Sequence, residues 1–465
     1  MKNSTQAADQ KLLDYYRMAP GSLATTVATA DGRCGESGYF QFGGQTCYGR
    51  CRSGSTSDVA MVGQFDASKD ILCDGSIVQL PFSFSEVVDN LRLERYPQEI
   101  ARSKEILSRS ELIRKLYYLI RGALPFSLRR ELQKAYFRDR KLLPFPAWPV
   151  DFTVDSLHQQ LLRLLMQTGG IEKVPFIWFW PEGASSCMIM THDVETVAGR
   201  DFTSQLMDLD ESYGIHASFQ VIPEKRYKVP DEYVSEIRRR GFELNIHDLN
   251  HDGNLYRERR EFNRRAERIN GHLRSYGARG FRAGSMYRRQ DWYDVFEFSY
   301  DMSVPNVAHL EPMRGGCCTV MPYFVGRIVE LPLTMAQDYS VIHILEDYST
   351  DLWKEQAALI RRQNGLMSFI VHPDYLVERR AREVYTSLLE YLRHLVVEEH
   401  IWTVLPGDVE RWWRARSEMS LTPRGDTWEI VGAGSERARL AYAVVDGDRL
   451  VYELAETPSR ATVIR

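Results

Sequence analysis

Across residues 175–405, short apolar runs alternate with amphipathic stretches. No other feature of this 465-residue chain restricts its fold as tightly. The apolar runs are SCMIMTHD, ASFQVIP, FELNIH, GFRAGS, IVELPL and LMSFIVHP. Between most of them lie stretches with helical spacing, such as DEYVSEIRRR, REFNRRAERINGHLRSYG and TDLWKEQAALIRRQ. This alternation predicts a mostly parallel sheet covered by helices, either an open α/β sheet or a β/α barrel. In both architectures the carboxyl ends of the strands converge on one face, and sites form there.

The flanks read differently. Residues 1–85 predict a small β-rich unit, because residues 20–85 are rich in Gly, Ser and Thr, with short runs such as GYFQF and SIVQLPF. Residues 86–174 form a helical connector carrying SEVVDNL, ELIRKLYYLIRGALPF and SLRRELQKAYFRD, followed by a proline-rich strap, LPFPAWPVDF. Residues 406–465 are read as a helix and β-hairpin extension, because ARLAYAVVDGDRLVYEL alternates around an Asp-Gly turn.

A net charge of −4 argues against a nucleic-acid binder, which would carry a basic excess. No stretch supplies the ~18 consecutive apolar residues of a membrane span. The start, MKNSTQAADQKLLDYYRM, lacks the apolar core of a signal peptide, so a cytoplasmic location is expected. Seven cysteines, two of them adjacent at Cys317–Cys318, do not make a secreted disulfide framework. Cys34, Cys47, Cys51 and Cys73 have irregular spacing. Small buried apolar residues are the expectation for them, with a zinc knot as the alternative.

The predicted strands end in polar groups. Asp193 and Glu195 follow CMIM, His247 and His251 follow FELNI, Arg282 follows GF, and His372 follows FIV. A carboxylate at the end of a buried strand is costly unless an Arg, a helix cap or a metal compensates it. In HDLNH, histidines four apart would lie on one side of a helical turn, close enough to share a metal; surface or capping histidines are the alternative. With Glu195 they make two imidazoles and a carboxylate, the makeup of a catalytic zinc or similar divalent site. Asp193, projecting to the same side as Glu195, suits a base, or else the cap of the next helix. Arg282 would orient Asp193, or is a plain surface or phosphate-facing arginine. His372 would act as a general acid, or is a satisfied strand-end histidine.

In this order the motifs resemble those of the polysaccharide deacetylase family (NodB-homology domain, carbohydrate esterase family 4). THDVE at 191–195 resembles the first motif, HDLNH the second, FRAGS at 281–285 the third, and FIVHP at 369–373 the fifth; VELPLTMAQD at 329–338 stands where the fourth lies. The resemblance implies a distorted (β/α)7 barrel over about half the chain. It also implies a metal-dependent amidohydrolase that removes an N-acetyl group from a sugar. By the Asp-Val-Glu variant of the first motif, Asp193 is the base and Glu195 a metal ligand with His247 and His251. Arg282 orients the base, His372 is the acid, Asp338 tunes it, and the backbone N–H near Ser285 holds the oxyanion. The third motif departs from the usual Pro-Tyr ending, with Gly284 and Ser285 in its place. The implied ion is zinc first, with cobalt or nickel also fitting the donor set.

A cytoplasmic enzyme would meet a nucleotide-linked or lipid-linked sugar of glycan or exopolysaccharide assembly rather than a wall polymer. Residues 112–142 are apolar on one side and basic on the other. They are read as a helix pair packed on the barrel, with peripheral contact to an anionic membrane as the alternative. Tyr287, Trp292 and Tyr375 are candidates for stacking on sugar rings, or for ordinary packing. The same fold and metal would equally serve a non-sugar amide, a formyl or an O-acetyl substrate. A carbohydrate-binding or scaffold protein that has lost activity is the third reading.

Overall fold

A computed structural model describes residues 9–19, 21–29, 36–52, 56–58, 60, 64–97, 126–137, 143–425 and 427–455. Eight parallel strands form its centre: β1 (Ser186–Val194), β2 (Ala217–Val221), β3 (Glu243–His247), β4 (Gly280–Arg282), β5 (Tyr300–Asp301), β6 (Ile328–Glu330), β7 (Leu366–Ile370) and β8 (Ile401–Thr403). Their order is β6-β5-β4-β3-β2-β1-β7, with Tyr323–Val325 antiparallel outside β6. β8 pairs with the first three residues of β1, and β2 takes up its last five.

All nine residues of β1 are buried, since helices cover one face and the barrel interior the other. A central parallel strand is therefore apolar throughout rather than alternating, which is why CMIM reads as a continuous run. The sheet curls until the chain after β6 meets β7. There Met335 N–H donates to the Ser368 carbonyl (3.3 Å) and Ser368 N–H to Thr334 Oγ1 (2.9 Å). The result is the distorted (β/α)7 barrel that the resemblance implies, rather than an open sheet.

Helices Val197–Ser212, Asp231–Arg239, Arg259–Tyr276, Asp351–Arg361 and Arg379–Glu399 cover it. Each turns an apolar stripe inward: Phe202 and Leu206, Val234 and Ile237, Phe262 and Ile269, Trp353 and Ile360, Leu388 and Leu392. Burying each such side chain contributes roughly 1.5–3 kcal/mol. Side-chain caps fix two of the helix starts, Thr196 accepting from Gly199 N–H and Glu258 from Arg260 and Glu261 N–H.

Outside the barrel, Gly38–Phe42 and Gln45–Gly49 form a hairpin, and a three-stranded sheet combines Thr26–Thr29, Leu72–Asp74 and Ile77–Leu80. The C-terminal hairpin, Leu440–Asp446 and Arg449–Leu454, turns at Gly447–Asp448 and adds Lys173–Ile177 as a third strand. One apolar cluster runs from Phe40 and Val78 through Leu161 of helix Thr153–Thr168 to Ile189 of β1 and to Ala441. Of the connector, helices Phe84–Arg92 and Phe126–Phe137 are formed. The rest of the 112–142 segment lies outside the described residues, as does Cys34. Cys47 and Cys51 are buried and Cys73 is exposed. No helix among the described residues is long and apolar enough to cross a membrane.

Asp301 of β5 and Glu330 of β6 stand side by side, both fully buried. Tyr293 and Ser303 hydroxyls donate to Asp301, and Val304 N–H donates to Glu330. Burial pushes both carboxyls up, and for Glu330 the neighbouring Asp301 adds to it. Such an acid loses stabilising effect as pH climbs above its unfolded pKa, about 4.3 for Glu, because unfolding then releases a proton. Glu330→Gln should therefore gain in Tm relative to the native chain as pH rises above about 5. Thermal melts across that range check this, and a constant gap would contradict it.

Candidate functional site

The carboxyl ends of β1, β3, β4 and β7 bring the polar groups to one centre. Asp193 Oδ2 and Glu195 Oε1 each lie 3.8 Å from His247 Nε2, so both carboxylates face the same point although buried Val194 separates them. His251 Nε2 is 3.0 Å and His372 Nε2 3.9 Å from Glu195 Oε1.

Fully buried Arg282 governs Asp193. Its Nη1 donates to Asp193 Oδ1 (2.7 Å) and Thr191 Oγ1 (2.8 Å), and its Nε to the Met302 carbonyl (3.1 Å). Burial alone would raise the Asp193 pKa, but Arg282, with His247 and His372, outweighs it and holds the carboxyl below its ordinary value. The surface or phosphate-facing reading of Arg282 does not survive this burial. The helix-cap reading of Asp193 fails too, because Thr196 holds that place.

Glu195, His247 and His251 offer one ligand atom apiece, all within 4.8 Å of one another, the one such trio of His, Cys, Asp or Glu among the described residues. His247 Nδ1 faces the Arg282 carbonyl at 3.2 Å, an acceptor, which places the proton on Nδ1 and leaves a lone pair on Nε2. The Nε2 atoms of His247 and His251 are both buried without a hydrogen-bond partner. The same histidines, with His372, hold the Glu195 carboxyl well below the usual range against the opposing effect of burial. Two buried imidazole nitrogens and an ionised carboxylate aimed at one point fit a divalent cation, zinc first.

HDLNH itself is not a helical turn, contrary to the expectation. His247 ends β3, and the chain then folds back through Asp248 (φ +57°) and His251 (φ +53°), both in the left-handed region. The i,i+4 spacing brings the rings together through this bent loop, with centroids 4.8 Å apart. Such backbone is costly for non-glycine residues and persists only where its surroundings impose it.

Gly284 supplies part of that surrounding. A Cβ there would sit 2.6 Å from Asp248 Oδ2 and 2.9 Å from the His251 ring, closer than packed atoms approach. The departure from Pro in the third motif thus makes room for this ligand loop. Gly284→Ala should displace His251 and weaken metal binding by about 10- to 100-fold, the usual cost of disturbing a ligand's support. Competition titration with a chelator checks this, and an unchanged affinity would sink the argument.

At the other side, His372 Nδ1 lies 2.6 Å from Asp338 Oδ1, and His372 N–H donates to Asp338 Oδ2 (2.8 Å). Burial opposes the imidazolium, but Asp338, Glu195 and Asp193 outweigh it and push its pKa up to about 10. Its Nε2 is thereby left facing the centre. The Tyr375 ring stands 5.3 Å from that of His372 and stacks on Tyr339. Tyr287 comes within 3.7 Å of where a side chain at Gly253 would begin, at the edge of the ligand loop. Trp292 contacts Phe262 and Tyr256, with the guanidiniums of Arg259 and Arg289 over it; these are packing contacts of the outer core. Ser285 is half-buried at φ +55° in the short turn after β4.

The sequence reading missed Asp374. It accepts the Glu195 N–H (2.9 Å) and the Thr196 hydroxyl, and so fixes the backbone that presents Glu195. Its only signal was Pro373-Asp374 directly after His372, which reads as an ordinary helix start.

No protein-family profile matches the chain, and no curated protein matches it at a significant level. Solved structures do. One, from Mycobacterium smegmatis and provisionally described as a polysaccharide deacetylase, is 18% identical with a TM-score of 0.41 over 54% of this chain and 96% of that one. A second from Pseudomonas aeruginosa, provisionally described in the same way, is 11% identical with a TM-score of 0.40, over 50% and 93%. An allantoinase is 12% identical with a TM-score of 0.39, over 50% and 92%. The chain resembles the polysaccharide deacetylases in its ordered motifs. At these identities and scores, the reading of the site rests on its own geometry.

Proposed function

We propose that this chain is a divalent-metal-dependent amidohydrolase of the polysaccharide deacetylase type, removing an acetyl group from the nitrogen of a sugar. The observation that carries this reading is the convergence of Glu195, His247 and His251 between an Arg-held carboxylate, Asp193, and an Asp-held imidazole, His372. An acid and a base with separated environments, flanking a cation site, suit hydrolysis of a C–N bond.

A bound divalent ion would supply Lewis acidity toward the acyl oxygen and lower the pKa of a water. The protein's own groups do the rest. Asp193, ionised and pinned by Arg282, takes a proton from the attacking water. The backbone N–H of Ser285, just past Gly284, stabilises the charge that develops on the carbonyl oxygen. His372, charged by virtue of Asp338, gives its Nε2 proton to the departing amine. Tyr375, beside His372, is placed to form one wall for a sugar ring. Candidate substrates are N-acetylated sugars, free or linked to a nucleotide or lipid.

The test is release of acetate by the zinc- or cobalt-loaded protein from a panel of N-acetylated sugars and their nucleotide-linked forms. Formate and ammonia are assayed in parallel on small amides. Acetate from a sugar supports the reading. Formate or ammonia alone would keep the fold and metal but replace the substrate class.

A further inference from the structure

The segment that follows helix Phe84–Arg92 belongs to no part of the barrel, yet it is bound into the loop that carries the third motif. Arg92, the last residue of that helix, and Glu94 reach this loop, and Tyr96 anchors the segment to Gly316. The Arg92 carbonyl accepts from Gln290 Nε2 (3.0 Å) and the Tyr323 hydroxyl (3.1 Å). Glu94 makes a two-pronged ion pair with Arg288, through Nε (2.6 Å) and Nη2, and also accepts Gly316 N–H (2.7 Å). The Tyr96 hydroxyl donates to the Gly316 carbonyl (2.5 Å).

The ion pair lies out of water, its side chains 1% and 4% exposed. A paired guanidinium and carboxylate at this depth are costly unless their geometry is good and the remaining donors are met. Here they are met: Arg288 Nη1 donates to the Met286 carbonyl (2.8 Å) and Nη2 to that of Arg314 (3.3 Å). The carbonyl it grips belongs to a strained stretch, for Ser285 (φ +55°) and Met286 (φ +53°) are successive non-glycine residues in the left-handed region. Just before them stands Gly284, against which Asp248 and the ligand His251 pack.

We propose that Glu94 and Arg288 are positioning residues, through which the helical connector holds the 283–289 turn in the shape that seats His251 and presents the Ser285 N–H. This rests on the metal-site reading above and deepens it, since it makes residues 92–96 a working part of the centre. The chain of contact is continuous: Glu94 to Arg288, Arg288 to the Met286 carbonyl, and the turn through Gly284 to His251.

The experiment compares the native full chain with Glu94→Gln and with the double variant Glu94→Gln/Arg288→Met. The double variant removes both charges and so avoids leaving a buried guanidinium unpaired. Hydrogen exchange is followed in peptides covering 283–289 and 247–253, and cobalt(II) affinity and its visible absorption are titrated. The expected result is faster exchange in both peptides and about tenfold or greater loss of cobalt affinity with an altered spectrum, in a double variant that still melts cooperatively. Native exchange and affinity in the folded double variant would overturn the proposal. So would faster exchange confined to 283–289, because coupling to the His251 loop is the claim. If the native chain binds no cobalt, the metal-site reading fails separately, and exchange in the two peptides alone decides whether the pair holds the turn.

Discussion

Asp193→Asn is expected to lower kcat for acetate release by about 10²- to 10⁴-fold, the range of a lost general base. The amide is nearly isosteric and keeps one oxygen for Arg282 Nη1, so the fold and the metal trio should persist. A variant that retains its metal but loses turnover identifies Asp193 as the base. Equal loss of metal and activity would instead place it among the ligands. Its distance to His247 Nε2, 3.8 Å, makes that distinction worth measuring, because Glu195 Oε1 stands at the same distance.

His372 should show the second large effect. His372→Ala is expected to cost about 10²- to 10⁴-fold in kcat with an amide substrate, whose amine leaves only when protonated. Asp338→Asn tests the pair more finely. With Asp338 in place the imidazolium persists up to about 10. Without it burial meets less opposition and the pKa falls, so protonated His372 is lost at lower pH. The alkaline limb of the kcat profile should move down by roughly one to three pH units, the span one opposite charge at contact distance commands. An unmoved limb would mean that another group supplies the proton.

How much of this was legible in the sequence follows from which forces act locally. The strands SCMIMTHD, FELNIH and LMSFIVHP were readable because both faces are buried and the apolar run is continuous. β5 was not, since two residues give no periodicity and only sheet neighbours define it. The ordered motifs brought Asp193, Glu195, His247, His251, Arg282 and His372 onto the page. The path of HDLNH was not visible, because helical spacing was assumed where two left-handed residues bend the chain. The reason for Gly284 in the third motif is not local, because the His251 ring lies against the place its side chain would fill. Asp374 and the Glu94–Arg288 pair depend on contacts between residues about 180 and 194 positions apart, which no local pattern announces.

The most direct test is the metal content of the native protein beside Glu195→Ala and His247→Ala. After incubation with zinc, cobalt or nickel and removal of the excess, the native chain should hold about one ion, and each variant should lose it. A native chain that stays metal-free under the same conditions would contradict the account, leaving Glu195, His247 and His251 as a buried cluster without the cation their geometry fits.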